Sequence, residues 1–300
     1  MNPDLSQTAE LQLAREVFNL AQNEFLTVND VGWTSRVYLY RQGERVIKFP
    51  RYEAVRQEYA NECSLYAYLE SCYFASVQLP QLWAIGLNYD YVAYTGIPGE
   101  TLDLACEKNS FDEVQKLSLG RRIGAFLKVF HGLAFEHCAE ETPQQEVEVL
   151  KQKYRLGLPY LQVHLTDEEI LLLTTLVTRA FSEKILQFQY EPVLCHGDLG
   201  LWNMVYRQTP AGIQLGIIDF GDICYGDAAR DFVGLSDPVL RDAALRVYGE
   251  LSALDERVFY RQQILPILEL PYYLGKANQA GIDQTFLRIR KLLRSHASTR

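Results

Sequence analysis

Several things are scarce in this 300-residue chain, and each scarcity removes a class of protein. Cysteine is confined to Cys63, Cys72, Cys106, Cys138, Cys195 and Cys224, scattered and without a C-x-x-C pair. Zinc-ribbon spacing is therefore absent, and reduced thiols in a cytoplasmic protein are the simplest reading. No wholly apolar run approaches the ~20 residues of a membrane-spanning helix, so no membrane association is expected. The opening Met1-Asn-Pro-Asp-Leu-Ser6 has no basic region followed by an apolar stretch, so no signal peptide is expected. Positive charge is in deficit: 29 Lys and Arg against 38 Asp and Glu give a net charge of −9. This argues against nucleic acid as a partner, favours solubility, and would suit a cationic one. Gly275-Lys276 is followed by Ala277 and lacks the upstream glycine of a P-loop, and neither H-E-x-x-H nor G-x-S-x-G occurs.

What is present is ordinary globular material, 48% apolar and 22% charged, long enough for about two domains. Leu11, Ala14, Phe18, Ala21 and Phe25 recur at helical spacing, which predicts a first amphipathic helix. Val37–Tyr40 and Arg45–Phe49 read as short strands around a Gln42-Gly43-Glu44 turn. A helix is predicted from about Ala54 to Leu69, with Tyr59, Glu62, Leu65 and Leu69 near one face. Two more strand-like runs end at Tyr91–Tyr94, and Gly96-Ile-Pro98-Gly99 breaks the pattern. After it, Ser110-Phe-Asp-Glu113 reads as a capping box opening a helix to about His131, and Thr166-Asp-Glu-Glu169 as another, to about Gln189. Met204–Tyr206 and Gln214–Asp219 interrupt as strands, and helices resume after Asp237-Pro238. Strands around one helix followed by mostly helices predict an α+β chain in two lobes, residues 1–95 small and β-rich, residues 96–300 larger and mainly helical.

The chemistry-bearing run is His196-Gly-Asp198-Leu-Gly-Leu-Trp-Asn203, followed by Ile217-Ile-Asp219-Phe-Gly-Asp222. Its His, Asp, Leu and Asn keep the spacing of the protein-kinase template H-R-D-L-x-x-x-N, with D-F-G after it. Phosphoryl transfer needs positioning and charge neutralisation rather than covalent help. Asp198 fits the carboxylate beside an attacking hydroxyl; Asn203 and Asp219 fit the oxygen donors that hold Mg²⁺ on nucleotide phosphates. Any one of these residues alone is more simply a turn residue satisfying its own backbone. The ordered set carries the reading. Upstream, Lys48 in Val46–Pro50 fits the phosphate-holding lysine, and the helix after it offers Glu62, with Glu58 as rival; Leu65 and Leu69 share the face of Glu62, which favours it. Asp30-Val-Gly32-Trp-Thr34-Ser35-Arg-Val37 lies where a phosphate-covering loop belongs, with one glycine and two hydroxyls in place of G-x-G-x-x-G. His196 is read as orienting the Asp198 loop; His131, His137, His164 and His296 are isolated and read as structural or surface residues.

The H-G-D-x-x-x-x-N then I-D-F-G-D order resembles the aminoglycoside phosphotransferase family, within the protein-kinase-like fold that also includes choline kinases. Gly197, where protein kinases carry Arg, Gly221–Phe232, Gly32–Tyr38, Val46–Pro50 and Ile97–Leu102 add to the resemblance, which covers about residues 25 to 235. It implies Mg²⁺-dependent transfer of the γ-phosphate of ATP or GTP to a hydroxyl of a small molecule. It further implies Asp198 as base, Asn203 and Asp219 as metal ligands, and Lys48 with Glu62 on the phosphates. Tyr91–Gly96, including Tyr94, becomes a hinge beside the nucleobase, and Asp231 a brace for the catalytic loop. Leu201-Trp202 departs from the smaller residues many relatives carry there, which bears on acceptor identity. A polycationic acceptor would need carboxylates: Asp222, Asp227, Glu250, Glu269 and Asp283 are the candidates, Glu269 foremost because its neighbours are apolar, with Tyr272 and Tyr273 as walls. Acidic residues on helices are more often simply solvated. A metabolic kinase for choline, ethanolamine or a sugar is the alternative. A silent nucleotide-binding regulator is a second, although all four motif residues are retained; a protein kinase is disfavoured because Gly226-Asp227 follows at once and leaves little room for a peptide platform.

Overall fold

A computed structural model describes residues 7–30, 32, 34–249 and 254–297. The chain packs as two compact units: Met1–Ala139, Val193–Tyr225 and Gly234–Glu250 form one, and Glu140–Pro192, Gly226–Val233 and Leu251–Arg300 the other.

In the first unit, helix α1 (Gln7–Val17) precedes strands β1 (Leu26–Asn29), β2 (Ser35–Tyr40) and β3 (Arg45–Pro50). The predicted first helix is thus cut short. Asn19 takes φ +52°, which stops it; Phe18 is buried, while Phe25 is 85% exposed. Helix α2 (Val55–Leu69) follows, burying Tyr59, Glu62, Leu65 and Leu69 on one face as the spacing predicts. Strands β4 (Gln81–Ile85) and β5 (Val92–Thr95) complete an antiparallel sheet in the order β1-β2-β3-β5-β4. In it Lys48 lies opposite Val37 on one side and Val92 on the other, so a central strand carries the lysine. Tyr38, Ile47, Phe49 and Ala93 pack with Ala14 and Phe18 into one core.

Strand β6 (Glu100–Thr101) and helices α3 (Leu102–Glu107) and α4 (Glu113–Phe130) come next. The capping box opening α4 is Asp112 with Gln115, not Ser110 with Glu113: Asp112 accepts from the Gln115 N–H at 2.8 Å and the Gln115 side chain returns the bond. Two candidate boxes overlap in this stretch, and the later one wins. Helix α5 (Pro143–His164), α6 (Asp167–Thr175) and α7 (Ser182–Gln187) belong to the second unit. The Thr166–Glu169 capping box is present, and residues 176–181 join α6 to α7 through a π-type turn. Strand β7 (Val193–Cys195) and the hairpin β8 (Met204–Thr209) and β9 (Gly212–Ile217) return to the first unit, β8 lying between β6 and β9. Helix α8 (Arg230–Val233) belongs to the second unit; α9 (Pro238–Tyr248), capped by Asp237, packs on α4 in the first. That contact needs small residues: a Cβ on Gly120 or Gly124 would stand 2.3 and 2.2 Å from the carbonyls of Leu240 and Ala244.

Helices α10 (Leu254–Gly275) and α11 (Gln279–Ala297) join α5–α7 around a core of Leu150, Leu173, Val177, Phe181, Ile185 and Ile289. Within this second unit Asp227 is fully buried, held by Arg257 Nε at 2.8 Å and Arg261 NH1 at 2.6 Å, while Arg261 also reaches Glu146 at 2.8 Å. Burial alone would raise the Asp227 pKa, but the two guanidiniums outweigh it and hold the carboxyl below its usual range.

Candidate active site

Strand β7 delivers His196 into the core of the first unit. Its Nε2–H donates to the Ile218 carbonyl at 3.0 Å, and its ring lies 4.6 Å from that of Phe220. Gly197 then turns with φ +87°, and a Cβ there would sit 1.9 Å from the Asp222 carbonyl. Only glycine satisfies both demands. The Asp198 loop is closed on itself: the Gly200 N–H donates to Asp198 O and the Asn203 N–H to Gly200 O, each at 3.0 Å. The Ile218 N–H donates to Asn203 O at 3.0 Å, tying this loop to the residue before Asp219. Strand β9 ends at Ile217, two residues earlier than the expected end at Asp219. Asp219 instead adopts φ +68°, a conformation Asp tolerates at modest cost and one that recurs at functional sites.

Lys48 is the meeting point. Its Nζ donates to Glu62 Oε1 at 3.1 Å and to Asp219 Oδ1 at 2.7 Å, with the Tyr94 ring face 5.5 Å away. Glu62, not Glu58, is the helical carboxylate on the lysine. Burial works against the Lys48 charge, but Asp219 and Glu62 outweigh it and hold its pKa well above the usual value. Glu62 is pushed up by burial, with Lys48 opposing. Asp219 is held below the carboxylate range by the Lys48 charge and hydrogen bond, against burial. Glu58 is raised by burial and by Asp222, Glu62 and Asp219, so it shares their field.

Asp198 Oδ2 accepts from Asn203 Nδ2 at 2.9 Å and from the Trp202 indole N–H at 3.3 Å. The Asn203 amide also donates to the Asp198 carbonyl at 2.9 Å. Burial pushes the Asp198 carboxyl up to about 6; the Trp202 bond opposes this, and the nearby charges of Asp222 and Asp219 add to it. A base near neutrality is suited to taking a proton from a hydroxyl.

The fit to a divalent cation rests on the donors. Asn203 spends its NH₂ on Asp198, which leaves Oδ1 pointing elsewhere, and Asp219 Oδ2 likewise accepts no hydrogen bond among the described residues. One carboxylate and one carboxamide oxygen make the hard-oxygen set that Mg²⁺ takes when phosphates and water complete its shell. The residues fit.

The remaining predicted positions are distributed as follows. Ser35 is buried, its hydroxyl accepting from Tyr59 at 2.7 Å, and the Thr34 hydroxyl lies 3.3 Å from it. Gly32 is exposed, with a Cβ meeting the Ser35 carbonyl at 3.0 Å; Val31 and Trp33 lie outside the described residues. The Tyr94 side chain points into the core, 5.1 Å from the Tyr66 ring. Asp222 is exposed beside the Asp198 loop. In the second unit Asp231 is fully buried in α8, and Glu269 is paired with Arg288 at 2.6 Å. Tyr272 and Tyr273 meet edge to face at 5.0 Å. Asp283 is bonded by Gln279, and Asp227 is committed to its arginines. Glu250 lies outside the described residues. Spacing alone does not find the bond from Trp202 to Asp198, although the unusual Leu201-Trp202 pair marks the place.

A model of the phosphotransferase enzyme family matches residues 26–261, and the chain belongs to that family. Among solved structures it is similar to the GDP and kanamycin complex of APH(2")-IIia, at 19% identity over 95% of this chain and 98% of that one, with a TM-score of 0.77. It is also similar to the GDP complex of wild-type aminoglycoside 2'-phosphotransferase-IIIa (18% identity, 97% and 99% covered, TM-score 0.76) and to ADP-bound aminoglycoside phosphotransferase APH(2'')-Ib (22%, 95% and 96%, 0.65). These likenesses establish the fold as protein-kinase-like, with a β-rich N-terminal region and a helical C-terminal part. Comparison with curated proteins finds no significant match. Among the described residues no helix is long and apolar enough to cross a membrane.

Proposed function

We propose that this phosphotransferase moves the γ-phosphoryl group of ATP or GTP, with Mg²⁺, to a hydroxyl of an aminoglycoside-type molecule, a cytoplasmic reaction that would confer antibiotic resistance. The observation that carries the reading is the convergence at Lys48: one ammonium bridges the α2 carboxylate Glu62 and Asp219, whose loop is bonded to that of Asp198 and Asn203. Gathering two carboxylates on one largely buried lysine costs desolvation that an apolar core would not incur. Lys48, positioned by Glu62, holds the nucleotide phosphates. Asn203 and Asp219 hold the metal. Bound there, Mg²⁺ neutralises charge on the transferring group.

Asp198 accepts the proton of the acceptor hydroxyl as its oxygen bonds to the γ-phosphorus, and the nucleoside diphosphate leaves with the electron pair of the broken bond. Gly32, Thr34 and Ser35 shape the loop over the phosphates, and the Tyr91–Gly96 backbone, Tyr94 included, reads the nucleobase. Residues 1–95 form the nucleotide lobe and 96–300 the catalytic and acceptor lobe. His196 supports the catalytic loop through its bond to the Ile218 carbonyl. Asp222, exposed beside the Asp198 loop, receives the acceptor; the acidic chain and the relatives solved with kanamycin or gentamicin support a cationic one. The test is nucleotide consumption with Mg²⁺, ATP and GTP separately, against kanamycin and other aminoglycosides, macrolides, choline, ethanolamine and small sugars. Stimulation by aminoglycosides is expected. Stimulation by choline or a sugar alone would overturn the acceptor assignment, and absence of nucleotide binding would overturn the reading entirely.

A further inference from the structure

The two oxygens of Asp198 are not equivalent. Oδ2 is held twice, by the Asn203 amide at 2.9 Å and the Trp202 indole N–H at 3.3 Å, whereas Oδ1 accepts no hydrogen bond among the described residues. The indole is seated to make its bond. Gly200 lies directly beneath it, and a Cβ there would fall 2.3 Å from the ring, so the loop leaves room for this side chain in this orientation. Its neighbour Leu201 is buried and anchors the turn, yet Trp202 is 41% exposed.

Resting on the phosphoryl-transfer reading above, we propose that Trp202 is a positioning and specificity-determining residue: its N–H and the Asn203 amide fix Asp198 Oδ2 so that Oδ1 meets the acceptor hydroxyl, and its exposed ring is the surface on which a ring-shaped cationic acceptor lies. Proximity supports the second part, since the indole N–H lies 3.3 Å from the carboxylate that meets the acceptor. An acceptor oxygen on Oδ1 is within one carboxyl group of the indole, whose exposed face is open to the rest of its molecule. Trp is the side chain best suited to hold such a body, because it offers a broad apolar face to a ring and a π-face to an ammonium. A linear acceptor gains little from it. In the transfer step the acceptor O–H proton passes to Oδ1, the acceptor oxygen bonds to the γ-phosphorus, and the bond to the bridging oxygen of the nucleotide breaks, its electron pair leaving with the diphosphate. Asp198 then returns the proton to solvent.

Two variants separate the roles, with kanamycin as the probe acceptor. Trp202→Phe keeps a ring and loses the N–H; Trp202→Ala loses both. The first is expected to lower kcat about tenfold while acceptor KM stays within about twofold, as loss of one hydrogen bond to a charged group implies. The second is expected to lower kcat equally and also to raise acceptor KM about tenfold. Nucleotide affinity, measured by calorimetry, should be unchanged in both, which a merely structural role would not leave so. A Trp202→Phe enzyme with kcat within twofold of wild type overturns the positioning role. Equal acceptor KM in the Phe and Ala variants overturns the surface role. Weakened nucleotide binding in both marks Trp202 as structural and overturns the proposal. A wild-type enzyme that phosphorylates nothing in the panel overturns the functional reading itself and this inference with it; the two failures differ in whether the wild type is active.

Discussion

Replacing Glu62 with Gln probes the account where the structure is most explicit. The Glu62 side chain is 1% exposed and that of Lys48 12%, with 3.1 Å between their charged atoms. Removing one member of a buried pair costs about 3–5 kcal/mol when the other charge is left uncompensated. Lys48 is not so left. Asp219 remains 2.7 Å from it, the Tyr94 ring lies beneath, and the Gln amide oxygen still accepts from Nζ. What is lost is the difference between a charge-assisted and a neutral hydrogen bond, about 1–2 kcal/mol. At roughly 2–4 °C per kcal/mol for a chain of this size, Tm should fall by about 2–8 °C. The functional effect should be larger. With one counter-charge gone, Lys48 binds Asp219 more tightly, and that carboxylate is the one assigned to the metal. Nucleotide affinity should drop about tenfold, corresponding to 1.4 kcal/mol, and half-maximal Mg²⁺ should rise. Thermal melts and calorimetric titration of nucleotide at fixed and varied Mg²⁺ read both effects. A variant with wild-type Tm and wild-type nucleotide affinity would refute the idea that Glu62 holds the lysine in place.

Two further predictions follow from the same loops. Asp198 titrates near 6 when folded against 3.8 ordinarily, so the folded state binds its proton more tightly than the unfolded one. That contribution to stability is present below about pH 4 and is lost as pH rises through about 6. Asp198→Asn should therefore melt like wild type near pH 3.8 and slightly above it at pH 7.5, while transferring no phosphate; a variant with the wild-type Tm at both pH values would contradict the raised carboxyl. Gly197→Ala places a Cβ against the Asp222 carbonyl and demands φ +87° of alanine, so it should destabilise by more than about 2 kcal/mol and abolish turnover, as chemical denaturation and an activity assay would show. A fully active, stable Gly197→Ala enzyme would mean the loop is free to rearrange.

Much of this arrangement is written locally. Helical periodicity puts Glu62 on the face of Leu65 and Leu69, from which it reaches Lys48 of β3; Thr166 and Glu169 cap α6 because a capping box is a four-residue device. What escaped is non-local or masked by punctuation. Helix α5 buries Val147, Leu150, Tyr154 and Leu161 at helical spacing and carries its own Thr142–Gln145 capping box, but Gly157 and Pro159 lie inside it and read as breakers. The first helix stops at Val17 because Asn19 turns left-handed, although the apolar spacing runs on to Phe25. Asp227 looks like any acidic loop residue until Arg257 and Arg261, some thirty positions away, are folded onto it. The orientation of Asp198 was equally invisible, because it depends on how Gly200 lets one indole lie down.

On the function proposed above, Asp198 serves phosphoryl transfer from a nucleotide held by Lys48, Asn203 and Asp219. The most direct measurement incubates the protein with γ-labelled ATP or GTP, Mg²⁺ and kanamycin, and follows label into the acceptor by mass spectrometry, for wild type and Asp198→Ala side by side. Wild type should place one phosphoryl group on the acceptor and the variant none, with equal nucleotide binding by both. Label appearing on the acceptor at the wild-type rate with Asp198→Ala would contradict it.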